Sequence, residues 1–291
     1  MAADADIRRD RLVLLGTKGG PSLQYANRML PSSLLQSGGR TCVVDCGLGA
    51  TRGIVSCGAS LKEVDLVFIT HLHSDHVLEL GAMLHTIWTT GRQKPVKLYG
   101  PPGIAELVRH FARSIQFDID IRQEDEGRPP FHDLVEVFEY SEGLVFDDGM
   151  EVAAMRVRHP PVADCFALRF DCAGWRVTFS ADTCYLPSLA EFAHRSDILV
   201  HEAMLGPAIE RIIARIEHAT KLRQHLWASH TEAADVGRIA AAAAVDLLLL
   251  NHLVPADPDI PDEAWLDAVR TGWDGEVFVG HDGLEVKRQE P

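Results

Sequence analysis

Short apolar or β-branched runs recur along the chain and alternate with longer stretches in which apolar residues return every three or four positions. The short runs predict strands at 11–15, 33–35, 41–45, 66–70, 96–99, 135–138, 152–157, 166–170, 176–180, 198–202, 247–251 and 277–280. The longer period predicts helices at 76–89, 104–114, 186–193, 207–224, 231–244 and 262–271. Hairpin-like strands dominate the first half, whereas strand and helix alternate in the second. That mixture points to an α/β sandwich of layers rather than a singly wound parallel sheet.

No segment reads as a linker between independent domains. The most loop-like stretch, EDEGRPP at 124–130, is short enough to be a connection between elements, and no internal repeat is present. One domain over 1–291 is the expectation. At 46% hydrophobic and 24% charged residues the chain has the composition of a folded domain, which excludes a disordered or fibrous one. A chain of this length buries roughly three quarters of its unfolded surface, so its core needs no disulfides. The six cysteines form no CxxC pair and the opening MAADADIRRD lacks the apolar core of a signal peptide, so a cytoplasmic protein with free thiols is expected. The longest apolar run, 239–250, is broken by Asp246 and is too short to span a bilayer, which argues against a membrane protein. Lys and Arg number 28 against 42 Asp and Glu, a formal net charge of −14, and this balance argues against nucleic acid as the main partner.

The strongest chemical signal is LVFITHLHSDHVLEL, where an apolar strand runs straight into His71, His73, Asp75 and His76. Four ligand-type residues in six positions at a strand end suit a metal pair: His71 and His73 alternate along an extended backbone toward one ion, and Asp75 and His76 turn toward a second. Solvated loop histidines are the bland alternative, and the metal reading requires distant partners. Three have the right setting. His159 follows the strand at 152–157 and precedes Pro160 and Pro161, Asp182 ends the strand at 176–180 in VTFSADT, and His252 ends the strand at 247–250 in LLLLNHL. Asp182 has two oxygens and could bridge two cations.

With these motifs the chain resembles the metallo-β-lactamase superfamily, and within it the ribonuclease Z and arylsulfatase-like branch. The resemblance covers nearly the whole chain through LGTKGGP, VVDCG, THLHSDH, LYGPPGI, His159 with FALRF, TFSADT, LVHEAM, SHTEAADVGRIA and LLLNHL. It implies a four-layer αββα sandwich and a dinuclear centre of two divalent ions, with Zn2+ expected and Mn2+ or Fe2+ as alternatives. An iron-using redox member commonly carries Glu at the second loop histidine, whereas His73 is retained here. By the same resemblance His71, His73 and His159 would hold the first ion, Asp75, His76 and His252 the second, and Asp182 would bridge them. Two such ions activate a bridging water, and hydrolysis is the implied reaction class. Asp75 would also orient the nucleophile's proton. Glu202 in LVHEAM and His230 in ASHTEA match a pair that helps protonate the leaving group, a role favoured over the alternative that His230 caps the helix starting near Thr231, since Thr231 is the better cap by type. Asp45, Gly47 and Gly49 resemble a loop that supports the metal ligands.

The substrate expectation rests on departures from the branch. Its transfer-RNA-processing members carry a long basic arm beyond the equivalent of His159, but only PPVADCFALRFDCAGWRVTFSA separates His159 from Asp182 here, and Ser74 stands where those enzymes usually have Gly. Together with the net charge this favours a small-molecule substrate: an ester, lactone, aryl sulfate or phosphate ester, including xenobiotic aromatics. Ribonuclease Z-like phosphodiester cleavage is the alternative, and a non-catalytic metal-binding scaffold the alternative of another class. Trp88, Met204 and Trp227, near the site-bearing segments in sequence, are candidates for an apolar pocket wall, or equally for core packing. The long helix at 207–226, with its stripe of Ile209, Ile212, Ile213 and Ile216, could serve as a lid or as the surface of an expected homodimer.

Overall fold

A computed structural model describes residues 10–172 and 174–288 of the chain. The opening segment read above for a signal peptide falls largely outside the described residues, as do the outermost positions of the 1–291 span.

Alternation along β1 (Arg11–Gly16) decides the layering. Leu12 and Leu14 point to one side of the strand and pack between two sheets, whereas Val13 and Leu15 point to the other and pack under helices. The first sheet continues through β2 (Ser32–Ser37), β3 (Arg40–Val44), β4 (Leu66–Phe68), β5 (Val96–Gly100) and β6 (Val135–Glu139). The second contains β7 (Gly143–Asp147), β8 (Glu151–Arg156), β9 (Phe166–Cys172), β10 (Trp175–Phe179), β11 (Ile198–Met204), β12 (Leu247–Val254) and β13 (Glu276–Val279). A last strand, β14 (Glu285–Lys287), returns to pair antiparallel with β1 at the edge of the first sheet.

Phe68, Tyr99, Phe146, Phe166 and Phe170 fill the space between the sheets. Outside the first sheet lie α1 (Ala50–Ser56), α2 (Ser74–Val77), α3 (Leu80–Thr89), α4 (Ile104–Ser114) and α5 (Gln116–Glu126), whose buried residues join Val13, Val43, Val67 and Leu98. Outside the second lie α6 (Leu189–Phe192), α9 (Ala233–Ala243) and α10 (Asp262–Arg270), on Ala167, Leu199, Leu248 and Leu250. Each sheet thus has one face on its partner and one under helices, which is an αββα sandwich.

Several expected elements differ in the structure, among them the helix expected at 76–89, which is α2 and α3 separated by a turn at Leu78 and Glu79. The single helix expected at 207–226 is two helices, α7 (Gly206–Ile213) and α8 (Thr220–Ser229), and His218 in the turn between them takes a left-handed φ of 60°. The reversal lets Ile209 stay buried against Met204 and Val254 while Arg223 and Trp227 of α8 fold back onto Glu210 of α7. The 124–130 loop also starts later than expected, since α5 runs to Glu126 on a face with Ile119 as its one buried residue. All six cysteines are free thiols, and among the described residues no helix is long and apolar enough to cross a membrane.

Candidate metal centre

The site gathers at one rim of the sandwich, where both sheets supply residues from strand ends. After β4 the chain turns through Thr70 to His76; His159 follows β8, Asp182 follows β10, and His252 lies within β12. His252 is an extra residue in its strand. The pairing of β11 with β12 runs from Glu202 opposite Asn251 to Ala203 opposite Leu253, so His252 is bulged out of register with φ 42°. Asp45 (φ 58°) and Ala181 (φ 54°) are likewise left-handed without being glycine, and such strain at one place is tolerated where surrounding contacts hold it.

Every expected ligand comes to this rim. Atoms of His71, His73, His159 and Asp182 all lie within 4.8 Å of one another, as do those of Asp75, His76 and His252. In the first group His73 Nδ1 stands 3.1 Å from His71 Nε2 and 3.0 Å from His159 Nε2, three ring nitrogens converging on one point. In the second, Asp75 Oδ2 is 3.3 Å from His252 Nε2 and 3.7 Å from His76 Nε2. Asp182 stands between the groups, with Oδ2 at 3.8 Å from His71 Nε2 and 3.1 Å from His252 Nε2, and Oδ1 at 3.5 Å from His76 Nε2.

Hydrogen bonds behind the ligands fix which nitrogen each presents. Asp45 Oδ2 lies 2.8 Å from His76 Nδ1, and Asp45 itself is held by the Thr70 backbone N–H and hydroxyl. His159 Nδ1 donates to the Ser229 carbonyl at 2.9 Å. These contacts turn His76 Nε2 and His159 Nε2 toward the cluster. His76 Nε2 and Asp182 Oδ1 are buried without a hydrogen-bond partner among the described residues, which fits a donor set built around cations. Burial holds His71 in its neutral, lone-pair-bearing form and pushes His159 down to about 4. Burial opposes ionisation of Asp75 and Asp182, but the surrounding imidazoles outweigh it and keep both carboxyls well below their usual range.

Beside the cluster, Glu202 Oε1 accepts the backbone N–H groups of Thr183 and Thr231, each at 3.1 Å, and Oε2 stands 3.2 Å from His230 Nδ1. His230 is therefore more than a neighbour of a helix cap; it lies with Asp182 and His252 in a group of ligand-type atoms within 4.8 Å. Burial works against its charged form, but the Glu202 carboxylate outweighs that and lifts it to about 9.

Residues not assigned to the site from the sequence also reach the rim, those of the LGTKGGP motif among them. The Gly20 N–H donates to Asp75 Oδ2 at 2.9 Å, and Lys18 folds its ammonium onto the carbonyls of Gly19 and Gly20. A Cβ on Gly19 would stand 2.7 Å from His252 Nδ1, which explains the glycine. His225 sets its ring 6.3 Å from those of both His159 and His230. Its only sequence signal is its place one and a half helical turns before His230. His201, adjacent to Glu202, points away and hydrogen-bonds the Glu202 carbonyl.

The expected pocket wall does not form. Trp88 is buried under Phe131, with its indole N–H on the Pro129 carbonyl. Met204 is fully buried against Ile209 and Val254, and Trp227 donates to Glu210 and so braces α8 on α7. Closeness in sequence to the site-bearing segments suggested all three, but Trp88 packs on Phe131, Trp227 on Glu210 of α7, and Met204, at the end of β11, on Ile209 and Val254.

Comparison with known proteins bears on this geometry. The family model described as "Anti-Pycsar protein Apyc1" matches residues 11–234. A protein of Mycobacterium marinum named Ribonuclease Z is 31% identical over 279 residues, 93% of this chain and 96% of its own length. The chain belongs to the ribonuclease Z branch of the metallo-β-lactamase superfamily. Among solved structures, the metallo-β-lactamase fold protein YhfI of Bacillus subtilis superposes with a TM-score of 0.70 at 22% identity, covering 96% of this chain and 99% of that one. Human tRNase Z, short form, does so at 0.65 and 20% identity, covering 95% and 98%. A member of this branch with such a His and Asp cluster is a divalent-metal-dependent hydrolase.

The mycobacterial relative overturns the expectation of a small-molecule substrate with nucleic acid unlikely, because its name is that of an RNA-cleaving enzyme. Neither the net charge nor the short segment between His159 and Asp182 decides the substrate. Net charge is a sum over the whole surface and says nothing of the face around a site. The M. marinum relative is matched over 96% of its own length, so the absence of a long insertion does not set this chain apart from it.

Proposed function

We propose that this chain is a phosphodiesterase of the ribonuclease Z kind that cleaves RNA with two divalent ions, Zn2+ being the expected metal. The observation that carries the reading is Asp182, which stands between the two groups of buried ligand atoms: Oδ2 lies 3.8 Å from His71 of one and 3.1 Å from His252 of the other, and Oδ1 lies 3.5 Å from His76. His71, His73 and His159 would hold one ion, Asp75, His76 and His252 the other, and Asp182 both. When bound, such ions supply Lewis acidity at a phosphoryl oxygen and lower the pKa of water.

The chain's own groups account for the remaining roles. Gly20 N–H orients Asp75, leaving its other oxygen to direct a water proton. Glu202, aligned by two backbone N–H groups, fixes His230 through Nδ1 and keeps it protonated, the form needed to donate to a departing oxygen. The catalytic unit would be the whole sandwich as a single domain, since His71, His73, Asp75 and His76 extend from the first sheet and His159, Asp182 and His252 from the second.

The test is incubation of the metal-loaded protein with a precursor tRNA bearing a 3′ trailer. Trailer release that stops with a chelator and returns with Zn2+ or Mn2+ is expected. Failure to cut by protein shown to carry about two metal equivalents overturns the reading.

A further inference from the structure

A chain with net charge −14 that binds RNA must present cations where the RNA lies, because affinity for a phosphate backbone comes from lysine and arginine displacing counterions. Most arginines on this surface are already paired with a carboxylate, as Arg40 is with Asp148, Arg156 with Asp164 and Arg238 with Asp235. The hairpin of α7 and α8 differs. Residues 206–229 carry four Arg and Lys against two Glu, a local net charge of +2. Arg223 is held by Glu210, but Arg211, Arg215 and Lys221 are exposed and make no ion pair among the described residues.

This hairpin is joined to the metal centre at its base. Ser229, the last residue of α8, accepts from His159 Nδ1; His225 faces His159; and His230 follows directly. Lys221 lies eight residues before Ser229, about 12 Å along the helix at 1.5 Å per residue. Arg158, next to His159, is a further exposed cation without an ion pair among the described residues.

We propose that the α7–α8 hairpin is the RNA-docking surface of this protein, with Arg211, Arg215 and Lys221 contacting the phosphate backbone of a strand whose scissile bond lies at the metal centre. The proposal rests on the RNA-cleaving reading of the site, and its test is binding, which is independent of cleavage. The cations act as point charges, so the contact selects RNA by backbone charge and reads no base sequence.

The experiment titrates a fluorescent mature tRNA transcript, which offers no trailer to cut, with the full-length metal-loaded protein across a series of salt concentrations. The triple variant Arg211→Glu, Arg215→Glu, Lys221→Glu is compared with Arg113→Glu, a reversal of an exposed cation on α4. Metal content and melting temperature confirm that each variant is folded. The triple variant should bind roughly tenfold or more weakly at 0.1 M salt, and its slope of log affinity against log salt should flatten by about 2, as expected for three lost phosphate contacts. Arg113→Glu should change neither. Unchanged tRNA binding by the triple variant, an equal loss in Arg113→Glu, or no tRNA binding by the unaltered protein would each overturn the proposal. Loss of cleavage with tRNA binding and its hairpin dependence intact would instead count against the catalytic reading.

Discussion

Glu202 and His230 come from different elements, 28 positions apart, and meet through a 3.2 Å contact between Oε2 and Nδ1 while the other Glu202 oxygen is fixed by two backbone N–H groups. The carboxylate is held by the backbone independently of the imidazole, which fixes the direction from which Nδ1 meets it. Replacing His230 with Ala should lower kcat roughly a hundredfold, within the usual range for a lost general acid, with both metal equivalents retained. Glu202→Gln should produce a smaller loss of the same kind. Metal loss in His230→Ala, measured by elemental analysis, would make His230 a ligand instead.

Asp45 binds no substrate in this reading, yet its carboxylate lies 2.8 Å from His76 Nδ1 and anchors Thr70 before the ligand loop. Asp45→Asn should weaken metal affinity by about 10–100-fold, the usual effect of losing a carboxylate behind a ligating histidine. Competition against a chromogenic zinc chelator measures this directly, and affinity equal to the unaltered protein's would show that Thr70 and the backbone suffice.

Gly19 has no room for a side chain, since an added Cβ would approach Val254 Cγ2 to 2.5 Å as well as His252 Nδ1 to 2.7 Å. Gly19→Ala should push the 18–20 segment outward, break the Gly20 N–H contact to Asp75 and cut kcat/KM at least about tenfold while global stability changes little. A crystal structure of the variant with Gly20 still on Asp75 would contradict this account.

His201 links the fold to pH. It is fully buried, its Nδ1 bonds the Glu202 carbonyl at 2.6 Å, its Nε2 lacks a partner among the described residues, and burial pushes its pKa down to about 4. The unfolded chain, with an ordinary histidine pKa near 6.5, binds the proton that the folded chain refuses. Stability is therefore fully present above about pH 6.5 and falls as pH drops toward 4, by about 3 kcal/mol from this residue. Urea unfolding of His201→Asn should show that much less acid sensitivity over the same window, whereas parallel pH profiles for variant and unaltered protein would remove His201 as the cause.

Much of this protein is written locally. Alternating or continuous apolar runs marked twelve strands because a strand buried on one or two faces imposes that pattern on its own residues, and seven ligands stood out because metal coordination demands His and Asp at strand ends. β7 and β14 were not legible: β7 is an edge strand with largely exposed residues, and the three-residue β14 exists only because it pairs with β1. Closeness in sequence suggested Trp88, Met204 and Trp227 for the site, and periodicity joined α7 to α8, since neither names what covers a buried face.

What tertiary structure alone decided is relational. The bulge that aims His252, the Gly20 N–H on Asp75, the approach of His225 to His159 and the unpaired cations of one hairpin each depend on which distant segments meet. Coordination chemistry is carried by residue type and could be read from the chain. Orientation and pairing arise from contacts between segments, and only the fold brings those together.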